Sequence, residues 1–156
     1  MVQSGARLFI AGHDPEKDGR LVYRGRVGEA VAVAETGAAL RLATQNALAS
    51  ARDAAGSLAH LRCVILTAYV STARSDAVAP GVLEESLTLL AMALPSSGRP
   101  AAWLRPTQGL AAGMAVEIEL LLERTRATRR AGAVRRRGTG ARAVARTPRR
   151  SGGRTS

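Results

Sequence analysis

The spacing of apolar residues changes several times along this chain. Leu8 to Gly12 reads Leu-Phe-Ile-Ala-Gly, followed by the turn-rich Asp14-Pro15-Glu16-Lys17-Asp18-Gly19 and then by Leu21-Val22-Tyr23. This pattern predicts two short strands joined by a hairpin, with Asp18-Gly19 supplying the positive φ of the turn. From Ala34 to Ala55 the period becomes helical. Leu40, Ala43, Ala47, Leu48 and Ala51 share one face, Arg41, Gln45 and Arg52 fall outside it, and Gly56 ends the helix. Leu61 to Val70 is apolar or β-branched at nearly every position, as in a central strand covered on both faces.

Pro80-Gly81 opens a second helix over Val82 to Leu94, in which Leu83, Leu87, Leu90 and Leu94 repeat every three or four residues before Pro95. Arg99 to Met114 is broken by glycine and proline and has weak strand character. Ala115 to Glu123 alternates Val116, Ile118, Leu120 and Leu122 against Glu117, Glu119, Leu121 and Glu123, which predicts a strand with carboxylates on one face. The order β, β, α, β, α, weak β, β predicts an α+β fold, a two-layer sandwich with the helices on one face of the sheet.

Charge divides the chain. Residues 1–123 hold 11 Lys and Arg against 12 Asp and Glu, a net of −1, whereas residues 124–156 hold 12 arginines and no acid, a net of +12. The sequence pI near 11.6 therefore belongs to the end of the chain. The expected organisation is one folded domain over 1–123 and a disordered arginine-rich tail over 124–156, where almost no large apolar residue is available to offset ordering entropy. Such a tail can bind nucleic acid nonspecifically by counterion release, or it can be a solvated extension or an unselected read-through.

With one Trp, one Phe and two Tyr in 156 residues, an aromatic platform for stacking bases is not expected. Cys63 has no cysteine partner, and with His13 and His60 it makes no zinc set, so neither an internal disulfide nor a Cys/His zinc site is expected. The start lacks the pattern of a signal peptide. The longest uncharged run, Ser86 to Gly98, is 13 residues, too short to span a membrane. A soluble cytoplasmic protein is the expectation.

The runs LFIAGHDPEKDGRLVYRGRVGEAV, LRLATQNALASARDAAGSLAHLRCVILTAYVSTA and AVEIELLLE, taken together, resemble the RidA/YjgF reactive-intermediate deaminase family over residues 5–123. The resemblance implies a chorismate mutase-like fold, a mixed sheet with two helices on one side, assembled as a homotrimer whose open sheet faces close a barrel and whose clefts lie between subunits. It also implies a reaction: hydrolysis of an enamine or imine acid to a 2-oxo acid and ammonia, without cofactor or metal. That chemistry calls for a cation to hold the substrate carboxylate and a carboxyl group to move protons.

Glu117 matches the family's proton-transfer glutamate. An ungapped alignment places Ala102 where active members carry the carboxylate-binding arginine. Arg105 lies three residues further on, an odd offset that turns it to the opposite face of a strand, and a gapped alignment would bring it into the role. The family's Ser-Gly-Gln reads Ala11-Gly12-His13, which keeps the glycine and loses the hydroxyl. The tyrosine-bearing segment before the first strand has no counterpart, and Leu104 replaces a residue that is often small.

His13 has two readings: a group that binds a carboxylate or moves protons in the cleft, or one hydrogen-bonded to the turn from Asp14 to Gly19. Cys63 reads as packing and His60 as solvent-facing. These losses leave open a different class of function, a non-catalytic protein binding a small metabolite in the subunit cleft. An RNA-directed role is a further alternative, without a nuclease set of residues to support it.

Overall fold

The computed structural model describes residues 1–74, 78–79, 81–94 and 98–125. Its elements are β1 (Val2–Ser4), β2 (Arg7–His13), β3 (Glu16–Lys17), β4 (Arg20–Leu21), α1 (Thr36–Ala55), β5 (Leu61–Ser71), α2 (Glu84–Ala93), β6 (Ala101–Thr107) and β7 (Val116–Arg124). Five strands form one mixed sheet in the order β1-β2-β7-β5-β6, with β5 and β6 parallel and the other neighbours antiparallel. The parallel pair needs a crossover, and α2 lies within it.

The helices form where their apolar periods lie. A single 3-10 turn over Val33–Glu35 precedes α1, and the Glu35 carboxylate accepts a hydrogen bond from the Ala32 N–H at 3.1 Å. Gly56, at φ 77°, ends α1 with its N–H donating to the Arg52 carbonyl. The predicted faces Leu40, Ala43, Ala47, Leu48, Ala51 and Leu83, Leu87, Leu90, Leu94 are buried, against Leu8, Ile10, Leu66, Ala68, Val70 and the even-numbered apolar residues of β7. Between the helices, the Thr44 hydroxyl donates to the Leu40 carbonyl at 2.8 Å and lies 3.0 Å from the Ser86 hydroxyl, so both buried side chains are satisfied.

The structure corrects the expected hairpin. Asp18 and Gly19 do take positive φ, 53° and 74°, but the turn joins the two-residue strands β3 and β4. The Leu8 to Gly12 run instead lies between β1 and β7, with Leu8 opposite Leu122 and Ile10 opposite Leu120. A buried apolar ladder outweighs a local pairing whose first arm follows Pro15, a residue with no N–H to donate.

β5 is an interior strand, between β7 and β6, but within the chain one of its faces is covered: Leu66, Ala68 and Val70 are fully buried, whereas Ile65, Thr67 and Tyr69 are half-buried. The weak segment contains β6. The last strand runs one residue beyond the expected domain edge at 123. Arg124 N–H donates to the Ala6 carbonyl and Thr125 N–H to the His60 carbonyl, both at 2.8 Å. The rest of the arginine-rich tail, 126–156, lies outside the described residues.

Candidate functional site

Side chains of the sheet that point away from the helices form an ordered grid. Arg105 on β6 is paired with Tyr69 on β5, and Tyr69 with Glu117 on β7. One row along, Trp103 is paired with Thr67, and Thr67 with Glu119; beyond that, Ala101 and Leu121 flank Ile65. Neighbouring strands lie about 4.8 Å apart, so the Arg105 and Glu117 backbones are about 10 Å apart with Tyr69 between them. Long side chains at those two positions can both reach a small molecule seated over the tyrosine.

The Tyr69 hydroxyl donates to Glu119 Oε2 at 3.1 Å, and the Arg105 guanidinium stacks 5.3 Å from the centroid of the Trp103 ring. Stacking uses the face of the guanidinium and leaves its donors at the edge free to meet a carboxylate. Beside this row is a hollow of about 230 Å³ lined by Phe9, Ala11, Ile65, Thr67, Glu119 and Leu121.

Glu117 is half-buried, and its carboxyl titrates above the usual glutamate range. Burial is the main cause, and the nearby carboxylates of Glu119 and Asp14 add to it. Gly12 approaches it closely from β2. At φ 69° this glycine takes a left-handed conformation, and a Cβ built there would lie 3.7 Å from Glu117 Oε1.

His13 follows neither of its two readings. The β2–β7 register shifts by one residue between Ile10 and His13, a bulge that sets His13 opposite Ile118, whose side chain is buried under the helices. The ring therefore turns to the helix layer, where Nε2 lies 2.7 Å from Ser50 Oγ of α1. Burial holds the imidazole below its ordinary pKa, with the N-terminal ammonium acting the same way, while Asp14 and the Ala11 carbonyl oppose them.

Ala102 is also on the other side of the sheet. It is paired with Leu66, whose side chain points into the core, so it does not share a face with Glu117; Arg105 does. The odd offset between the two was legible in the sequence, but the pairing with β5 decides which of them faces the glutamate. Leu104 packs partly against the core, and Arg99 pairs with Glu84 at 2.6 Å on the surface. Burial pushes the Cys63 thiol up to about 12, which fits packing and not nucleophilic chemistry. His60 is exposed.

The sequence reading missed Tyr69, Ser50 and Asp14. Tyr69 carried a signal, since the period of β5 puts it with Thr67 on the face opposite Leu66 and Val70. Ser50 and Asp14 carried none, because their importance comes from the bulge. Among the described residues no three His, Cys, Asp or Glu side chains gather to hold a metal ion, and no helix is long and apolar enough to cross a membrane.

Comparison with known proteins bears on the family and the fold. Residues 2–117 match the family described as "YjgF/chorismate_mutase-like, putative endoribonuclease". Among solved structures, the protein Atu1372 of Agrobacterium tumefaciens, of unknown function, is 26% identical with a TM-score of 0.70, over 79% of each chain. A Shewanella oneidensis protein named as a candidate endoribonuclease is 25% identical with a TM-score of 0.70, covering 78% of this chain and 82% of its own. RidA of a Psychrobacter species is 22% identical with a TM-score of 0.53, over 78% of this chain and 84% of its own, a likeness of fold. No match was found among the curated proteins. The matched span, the mixed sheet and its two helices together place this chain in the RidA/YjgF family.

Proposed function

We propose that this protein hydrolyses the carbon–nitrogen double bond of small 2-imino acids and their enamine tautomers, releasing a 2-oxo acid and ammonia. The observation that carries the reading is Glu117: a carboxyl on the open sheet face, held toward its protonated form, in one row with Tyr69 and Arg105. In the proposed reaction the Arg105 guanidinium holds the substrate carboxylate and the imine lies over Tyr69 toward Glu117.

Glu117 gives its proton to the imine nitrogen, and water adds to the carbon. The resulting carboxylate takes a proton from the added water and passes it to the amine; ammonia then leaves as the carbonyl forms, and the hydroxyl proton goes to Glu117, which restores its protonated form. No cofactor or metal enters this scheme. The hollow beside the row, walled by Phe9, Ile65 and Leu121, is where the side chain of the substrate would lie. The proposed assembly is a homotrimer, in which further copies cover the open face.

A second reading, a metabolite-binding protein without turnover, is favoured by Ala102, which offers no cation at the position the family alignment assigns to one. The test is to generate 2-iminopropanoate with a serine or threonine dehydratase and follow 2-oxo acid release with and without the protein. The catalytic reading expects acceleration that falls by about 100-fold or more in Glu117→Gln, the usual contribution of a positioned acid. Saturable binding of the 2-oxo acid with no acceleration would establish the second reading instead.

A further inference from the structure

The bulge in β2 decides which side chain stands opposite Glu117. Ile10 is paired with Leu120; an unbroken register from there would set Ala11 opposite Glu119, Gly12 opposite Ile118 and His13 opposite Glu117, an imidazole facing a carboxyl. The observed shift pairs His13 with Ile118, the last pair of the ladder, and continuing that register one step past the end of β2 would set Asp14 opposite Glu117, whose carboxyl feels the Asp14 charge. β2 itself ends at His13; Pro15 follows Asp14, and the residue before a proline is biased to extended backbone, which favours that continuation.

Like charges directly opposite across two strands repel, and the chain would relax from this arrangement unless something held it. α1 supplies the hold. Asn46 and Ser50, one turn apart on that helix, both reach this segment. The Asn46 side-chain amide donates to the Asp14 and Glu16 carbonyls, each at 2.9 Å, and Ser50 Oγ meets His13 Nε2 at 2.7 Å. Residues on both sides of Asp14 are thus tied to a helix whose opposite contacts are core.

We propose that Asp14, brought opposite Glu117 by the Gly12 bulge and held there by Asn46 and Ser50 of α1, is a positioning residue through which the fold controls proton uptake at Glu117. The inference rests on the reading of Glu117 as the proton-transfer group. The charged and titratable groups around that carboxyl are Glu119 on its own strand, Asp14 beyond β2, and Tyr69 on β5 with Arg105 behind it on β6. Asp14 is the acidic one among them whose position depends on the bulge. Its carboxylate favours the protonated form of Glu117, in the same direction as burial.

The test follows the Glu117 carboxyl by carbon-13 NMR in the full chain, assigned with Glu117→Gln, alongside the pH dependence of imine hydrolysis. Asp14→Asn should move the Glu117 titration midpoint down. Asn46→Ala and Ser50→Ala should move it the same way by less, because they free Asp14 without removing its charge. The falling limb of the pH–rate profile should move with it. Asn46→Ala and Ser50→Ala, both at part-exposed helix positions, keep the test open if Asp14→Asn does not fold. A midpoint unmoved in folded Asp14→Asn, or unmoved in both helix variants, overturns the proposal. A midpoint that moves in a protein with no imine hydrolysis supports the arrangement and overturns the catalytic reading instead.

Discussion

Gly12 stands against Glu117 with no side chain between them: a Cβ at position 12 would lie 3.7 Å from Glu117 Oε1, in ordinary contact distance. Space is therefore not what reserves the position for glycine. The backbone is, since φ is 69° where the β2 bulge bends toward β7.

Gly12→Ala should accordingly destabilise the protein by about 1–2 kcal/mol, the penalty of placing an L side chain in the left-handed region. Urea denaturation followed by circular dichroism measures it. An unchanged midpoint would mean that the bulge relaxes without loss.

Glu117→Gln should separate stability from activity. The carboxyl binds its proton more tightly in the folded state than in the unfolded one, so the folded state holds more protons between the two pKa values. Stability then falls as pH rises from the unfolded value, about 4.3, through the raised folded one. Removing the group removes that loss. At pH 7 the glutamine variant should be at least as stable as the native chain. The gain should vanish below the ordinary glutamate range, while imine hydrolysis is lost. Denaturation curves at pH 7 and near pH 4 check the sign.

Arg105→Ala should raise KM for a 2-imino acid by about 10-fold or more, the weight of a charge-assisted hydrogen bond. Ala102→Arg should give little, because its side chain points away from the Glu117 face. Steady-state kinetics on the pair decides between them: a large gain from Ala102→Arg with no loss from Arg105→Ala would show that the ungapped alignment, and not the strand register, identifies the anchor.

The open face carries Phe9, 43% exposed, and Trp103, 54% exposed, beside the half-buried Ile65, Leu121 and Tyr69. Apolar side chains grouped on one sheet face are best covered by further copies of the chain. Light scattering at micromolar concentration should give the mass of a trimer, and Phe9→Glu should shift it toward smaller species. A native monomer would remove the proposed cleft.

The +12 charge beyond residue 123 should make the full chain bind single-stranded and double-stranded DNA alike at low salt and release both as salt rises. The remainder of the chain, with a net charge of −1, contributes no attractive field. Filter binding across a salt series reads the slope, and a preference for one sequence would contradict the expectation.

The sequence by itself determined the two helices, the central and last strands and the alternation that puts Glu117 and Glu119 on one face. Those features come from local periods of 3.6 and 2, which any stretch of chain displays without knowing its neighbours. It also showed that Ala102 and Arg105 must face opposite ways. What the sequence could not state was which of the two shares a face with Glu117, because that depends on the pairing of β6 with β5. Nor could it show that β2 would leave the Asp18-Gly19 hairpin for β7, or that one extra residue near Gly12 would set His13 opposite Ile118 and send it to Ser50. Register and bulges are settled by contacts between strands far apart in the chain, and a shift of one residue exchanges one face of a strand for the other.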